Sequence, residues 1–225
     1  MIRIAYYTTI EILNNREAIM HAHYRLMAVC FSILLPFNVF ASLEDGINAY
    51  NNRNYSSALK EFHNQAKIGD AQAQLLLGLM YDNGLGTKQD YEQALHWYTE
   101  AAKRGHARAQ FNVAEMLTLG QGTAQDKQQA MKWYSRAANN GFAEAQYKLG
   151  IALSQGINIE KDLVEAYKWL DISINQQIPG NETAVMALNE LKLKMTPQQV
   201  LKAQKRSEEW QKRFAQKQSN TLHEI

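Results

Sequence analysis

Between Asp70 and Gly105 the apolar and small residues fall into two groups, each at helical spacing. Ala73, Leu77, Gly78 and Tyr81 make one packing face. Ala94, Trp97, Tyr98, Ala101 and Ala102 make a second stripe. The polar positions punctuate them. Asp70 stands where a helix N-cap is needed, its carboxylate able to accept from free backbone N–H groups. Asn83-Gly84-Leu85-Gly86 ends the first helix, because glycine takes the left-handed conformation without steric cost. Asp90 opens the second, with Gln93 three residues on, a capping-box arrangement with Asp in place of Ser or Thr. Gly105 stops it. The pattern predicts a helix–turn–helix unit that cannot bury its apolar face alone and must stack on neighbours.

The unit recurs with a period of 36 residues. Ala73, Ala109 and Ala145 keep that spacing, as do Gln74, Gln110 and Gln146, and Gly84, Gly120 and Gly156. Asp90, Asp126 and Asp162 follow, then Ala94, Ala130 and Ala166, then Trp97, Trp133 and Trp169. One matching position could be chance; six in step identify a repeat. The expected organisation is an incomplete first repeat over 42–69, repeats over 70–105 and 106–141, and a degenerate repeat over 142–180. The last has Asn158 in place of its second loop glycine and Gln177 in place of the turn glycine. Capping helices follow over 181–214: Ala184, Leu188 and Leu191 share a face of the first, and Thr196-Pro197 opens the second. The ends should show polar outer faces, and 215–225 should be a frayed tail. The fold class is all-α, an α/α superhelical solenoid. Three prolines in 225 residues fit a chain made mostly of helix.

Ahead of the repeats, residues 26–40 form an apolar run preceded by His21, His23 and Arg25. Val39-Phe40-Ala41 closes it with small residues where a signal peptidase reads. The run falls short of the roughly 20 residues that span a bilayer. We therefore expect a signal peptide over 20–41, cut after Ala41, and a periplasmic or secreted product with no stable membrane span. Glu11 and Glu17 do not suit a signal, so Met20 reads as the translation start and 1–19 as an extension before it. Cleavage would remove Cys30, the only cysteine, and leave no disulfide. It would also take the formal charge from +2 to +1, too balanced to point to nucleic acid.

The run Ala73-Gln74-x-x-Leu77-Gly78-x-x-Tyr81-x-x-Gly84-x-Gly86, followed by Asp90-x-x-x-Ala94-x-x-Trp97-Tyr98-x-x-Ala101-Ala102, resembles the Sel-one-like repeat (SLR) family, relatives of the tetratricopeptide (TPR) repeats. The likeness covers about Leu43 to Phe214. It implies a right-handed α/α superhelix that serves as an adaptor for other proteins, in bacteria often in envelope signalling or host contact. A cysteine-rich branch of that family, some of whose members bind penicillin-like compounds, carries paired cysteines. The mature chain expected here has none.

The candidates for chemistry are weak. Ser57-Ala58-Leu59-Lys60 matches Ser-x-x-Lys, which pairs a nucleophile with a base in penicillin-recognising enzymes, but the chain has no Ser-Asp-Asn or Lys-Thr-Gly partner. His63, His96, His106 and His223 show no metal spacing and read as surface histidines. Gly84-Leu85-Gly86 lacks the preceding strand and the Gly-Lys-Ser/Thr ending of a phosphate loop. The basic cluster Lys202, Lys205, Arg206, Lys212 and Arg213 reads as a solvated capping face. No cofactor and no catalytic residue is expected.

In a solenoid the constant positions hold the stack and the variable ones are free to recognise. The variable rows of the first-type helices are Gln72, Arg108 and Glu144; Leu76, Asn112 and Lys148; Leu79, Glu115 and Ile151; and Asn83, Leu119 and Gln155. These twelve should line the concave face, with Leu76, Leu79, Leu119 and Ile151 forming an apolar groove for an extended or helical peptide. The function expected is a non-catalytic adaptor that binds a protein or peptide. The alternatives are a penicillin-binding or penicillin-hydrolysing enzyme and a host-directed effector.

Overall fold

The computed structural model describes residues 43–176 and 182–223, so the signal segment, Cys30 and the Gln177 turn lie outside the described residues. The described residues form ten helices and no strand: α1 over 43–51, then α2 Tyr55–Lys67, α3 Ala71–Asn83, α4 Tyr91–Lys103, α5 Ala107–Leu119, α6 Lys127–Asn139, α7 Ala143–Gln155, α8 Leu163–Asn175, α9 Glu182–Lys192 and α10 Pro197–His223. Two compact units divide the chain between Glu61 and Phe62, inside α2. In the first, Arg53 turns the chain at φ 59°, Tyr50 and Tyr55 meet edge to face at 5.5 Å, and Asn54 Oδ1 caps α2 by accepting from Ser57 N–H.

The second unit is the solenoid. Its hairpins α3/α4, α5/α6 and α7/α8 pack internally, and each then packs on the next through α4/α5, α6/α7 and α8/α9. Helices α3 to α8 are each 13 residues long; Asp caps open α4, α6 and α8 and left-handed glycines end α3, α5 and α7, whereas the first-type helices open on Asp70, His106 and Phe142, the last with no side-chain cap. Asp90, Asp126 and Asp162 accept from the N–H groups of Gln93, Gln129 and Glu165 at 2.9, 2.9 and 3.0 Å. Only this half of the expected capping box forms. The backbone N–H of each Asp goes instead to the carbonyl of Tyr81, Leu117 or Leu153 in the preceding helix, which ties the two helices of a hairpin together. Gly84, Gly120 and Gly156 end α3, α5 and α7 at φ 66°, 70° and 74°. In the degenerate loop Asn158 adopts φ 56° and serves where Gly122 stands in the previous repeat.

Packing explains the constant positions. Ala73, Ala109 and Ala145 are fully buried. A Cβ on Gly78 would lie 2.5 Å from the Tyr98 ring, so glycine lets the aromatic seat directly on α3. The constant glutamines do what their spacing suggests: Gln74, Gln110 and Gln146 donate to the carbonyls of Ala66, Ala102 and Ala138 at 3.0, 3.0 and 3.1 Å, tying each unit to the last turn of the one before. Asn140 and Gln176 donate to Gln110 Oε1 and Gln146 Oε1 at 2.9 and 2.8 Å. At the equivalent position Arg104 directs its guanidinium toward Gly69, and Gln74 Oε1 is buried without a partner.

The C-terminal region differs from expectation in three ways. First, α10 runs to His223, past Phe214, since Ala215 to His223 contains no glycine or proline to stop it. Second, α10 is held by more than solvation. Arg206 donates to Glu165 Oε1 at 2.6 Å, Ser207 Oγ donates to Asp171 Oδ2 at 2.6 Å, and Trp210 meets Trp169 edge to face at 5.7 Å. Third, the outer face of α9 is not wholly polar: Val185 and Met186 are exposed among Glu182, Thr183, Asn189 and Glu190, and Leu193 is exposed just past its end. The tryptophans also differ from one another. Trp133 and Trp169 are buried, whereas Trp97 is half-buried beside His63 and His96, with its indole Nε1 enclosed and unpartnered.

Candidate functional site

The variable rows all reach the surface. None of the twelve side chains is buried; Gln72, Asn83, Arg108, Leu119, Glu144, Lys148 and Gln155 are exposed and the other five are half-buried. The continuous apolar groove expected of Leu76, Leu79, Leu119 and Ile151 is not what forms. Leu119 stands out at 62% exposure, but Leu76 is half-buried and Leu79 and Ile151 pack against the core. The face is therefore mostly polar, with one projecting leucine.

Tyrosines from the second helices organise that face from beneath. The Tyr98 hydroxyl donates to Asp82 Oδ2 at 3.2 Å. Its pKa is driven well above the ordinary tyrosine value, by burial first and then by the Asp82 carboxylate; Arg108 and Asn112 beside it pull the other way. One repeat later the Tyr134 hydroxyl donates to Glu115 and lies 3.5 Å from Thr118 Oγ1. Burial and the Glu115 hydrogen bond raise its pKa as well. Both hydroxyls thus remain protonated donors at neutral pH, and each fixes a carboxylate at the surface. Glu115 also bridges to the next unit: Lys148 Nζ lies 2.7 Å from its Oε1 and sits over the Phe111 and Tyr134 rings at 5.9 and 6.0 Å. Two predicted residues from separate rows, Glu115 and Lys148, are therefore brought together, and Arg108 and Asn112 meet at Tyr98.

Lys148, Ile151 and Gln155 also line a cleft of about 420 Å³ between α6 and α7, capped by Thr118 at the end of α5. Met131 and Tyr134 contribute from α6 and Tyr147 from α7, while Lys127, Ile157 and Asn158 stand at its edge. Sequence reasoning missed these residues and Asp82. Tyr98 reads as part of the packing stripe and Tyr134 stands 36 residues after it; the visible clue is the run of hydrogen-bonding side chains Asp82, Thr118 and Ser154, 36 residues apart.

Two of the histidines, His63 and His106, are more engaged than surface residues, while His96 is exposed beside Trp97. His106 caps α5: its Nδ1 accepts from Ala109 N–H at 3.4 Å while Nε2 faces Gln72 Oε1 at 3.0 Å, which together require a neutral ring with the proton on Nε2. Burial, then Arg108, lowers its pKa. A lowered value in the folded state means that the unfolded chain binds the proton more readily. The stability from this cap is present above the ordinary value near 6.5 and is lost as pH falls through that value to the folded one. Thermal unfolding of wild type should shift down between about pH 7 and about pH 5 by more than that of His106→Asn, which caps without titrating. Equal shifts in the two proteins would contradict this role. His63 is half-buried edge-on to Trp97 at 5.8 Å, with its pKa lowered by burial and by Lys67. Among the described residues no three His, Cys, Asp or Glu side chains are placed to hold a metal, and no helix is long and apolar enough to cross a membrane. Ser57 and Lys60 both lie exposed on α2.

Tandem two-helix units, with constant residues inward and variable residues outward, define a helical-repeat protein of the solenoid class. Three Sel1 repeats match residues 71–106, 107–142 and 143–177, and the chain belongs to the Sel1-repeat (SLR) family. It is similar to a Sel1 repeat protein from Oxalobacter formigenes, with 32% identity and a TM-score of 0.61 over 65% of this chain and 59% of that one. It is also similar to a protective antigen present in uropathogenic Escherichia coli strains that displays an SLR fold, with 30% identity and a TM-score of 0.63 over 75% of this chain and 36% of that one. The chain thus spans less than two thirds of either solved structure. No curated protein matches it. Sel1-repeat folds generally act as protein–protein interaction scaffolds and are typically non-catalytic.

Proposed function

We propose that the chain is an adaptor of the bacterial envelope or a secreted adaptor, and that it binds a protein segment along the outward face of α3, α5 and α7. The observation that carries this reading is the fixed polar face: Tyr98–Asp82 and Tyr134–Glu115–Lys148 present charges at set positions without further ordering of the side chains. Prearranged charge favours binding by lowering the entropy lost on association. The apolar run over 26–40 and the Ala41 junction support export. The penicillin-directed alternative has no support, since Ser57 and Lys60 sit on open surface.

The test is a chemical cross-linking pull-down with full-length tagged protein from the envelope fraction of its own host. The comparison is Arg108→Glu/Lys148→Glu, with folding checked by circular dichroism. The expected result is a defined partner whose recovery falls at least about tenfold with the variant, because opposed charge at two points is repulsive. Equal recovery by both proteins, or no partner with either, would sink this reading.

A further inference from the structure

The cleft beside α6 and α7 arises where the repeat loses a glycine. In the second repeat Gly122 rests against the first turn of α4, so closely that a Cβ would lie 3.0 Å from Glu92 N and nearer still to the Tyr91 carbonyl. Only glycine permits that closure. In the third repeat the loop residue is Asn158, and the residue in the place of Tyr91 is Lys127. A side chain at 158 cannot make the same approach, and the cleft of about 420 Å³ is what remains open there. A volume of this size is typical of pockets that enclose small ligands or side chains.

Its chemistry is one-sided. Met131, Tyr134 and Ile151 supply apolar wall, Lys127 and Lys148 supply positive charge, and no Asp or Glu lines it. Lys127 has no ion-pair partner among the described residues. Its neighbour Asp126 directs a carboxylate oxygen to the Gln129 N–H at 2.9 Å. Lys148 is shared with Glu115. We propose that this cleft is a specificity pocket for a peptide carrying a carboxylate beside a bulky apolar side chain. The side chain fills the space against Met131 and Ile151, and the carboxylate takes the ammonium of Lys127. The proposal rests on the adaptor reading above and adds to it the chemical class of the segment and the place where it is read.

A random heptapeptide library panned on the full chain tests it, with the enriched peptides synthesised and their binding followed by fluorescence anisotropy. The expected result is enrichment of sequences that pair Asp or Glu with a bulky apolar residue. Their affinity should fall about tenfold with Lys127→Glu and be kept by Lys127→Arg. Asn158→Gly, which restores the glycine that closes the loop at a φ glycine favours, should weaken them about as much while leaving the fold intact. No enrichment, enrichment of sequences without an acid, or affinities unmoved by both Lys127→Glu and Asn158→Gly would overturn the proposal. If the peptides fail while the envelope partner is still lost by Arg108→Glu/Lys148→Glu, the pocket falls and the adaptor stands. If both experiments fail, both readings fall.

Discussion

Gly122→Ala should destabilise the chain by about 3–4 kcal/mol, whereas Gly105→Ala should cost only about 1–2 kcal/mol. Both glycines have positive φ, at 71° and 90°. An alanine at either position pays the left-handed backbone penalty. They differ in what a Cβ meets. At Gly105 there is nothing within 4 Å, while at Gly122 the backbone of Tyr91 and Glu92 is already in the way. Backbone cannot rotate aside like a side chain, so the α5–α6 loop must lift from α4 and the hairpin stack loosens. Urea unfolding midpoints of the two purified variants decide the matter. Equal losses would mean that the loop does not rest on α4 as described.

Trp169→Ala should cost about 3–5 kcal/mol and release α10, while Trp97→Phe should be close to neutral. The two residues hold the same repeat position with different surroundings. Trp169 is buried, carries the Lys168 ammonium 4.0 Å above its ring and receives Trp210 edge-on. Trp97 is half-buried, and its enclosed Nε1–H has no acceptor, so phenylalanine removes an unsatisfied donor along with some contact area. Hydrogen exchange along α10 gives the second readout: Ala203 and Ser207, both fully buried, should lose protection in Trp169→Ala. Unchanged protection there would show that α10 is held by other contacts.

The repeat was legible because each constant residue answers a local need that a sequence displays directly. Caps, loop glycines and small packing residues recur in register, and Gln74, Gln110 and Gln146 make the backbone ties their constancy suggested. Departures from the pattern were harder to read. Asn158 is visible as a lost glycine, but the space it opens depends on what faces it from α6. Arg104 replaces a residue type that donates to the glutamine, and only the structure shows Gln74 Oε1 left alone. The candidate face was legible as a set of variable rows, not as a surface. Leu79 and Ile151 looked available and are half withdrawn, while Tyr98 and Tyr134 looked wholly internal and place their hydroxyls under the charged residues. Variation identifies which residues are free to differ; how far each projects is set by the helix packed behind it. The length of α10 is not legible for a simpler reason: a polar sequence without Gly or Pro reads equally well as a tail or as a continuing helix.

The most direct test of the adaptor account is site-specific photo-cross-linking in intact host cells. A photoreactive amino acid replaces Leu119, which projects from the variable face of α5, or Lys132, exposed on α6, in the full-length protein. The account predicts one defined protein adduct from position 119 and none from position 132. No adduct at 119, or the same adducts from both positions, would contradict the claim that this face is where the chain meets its partner.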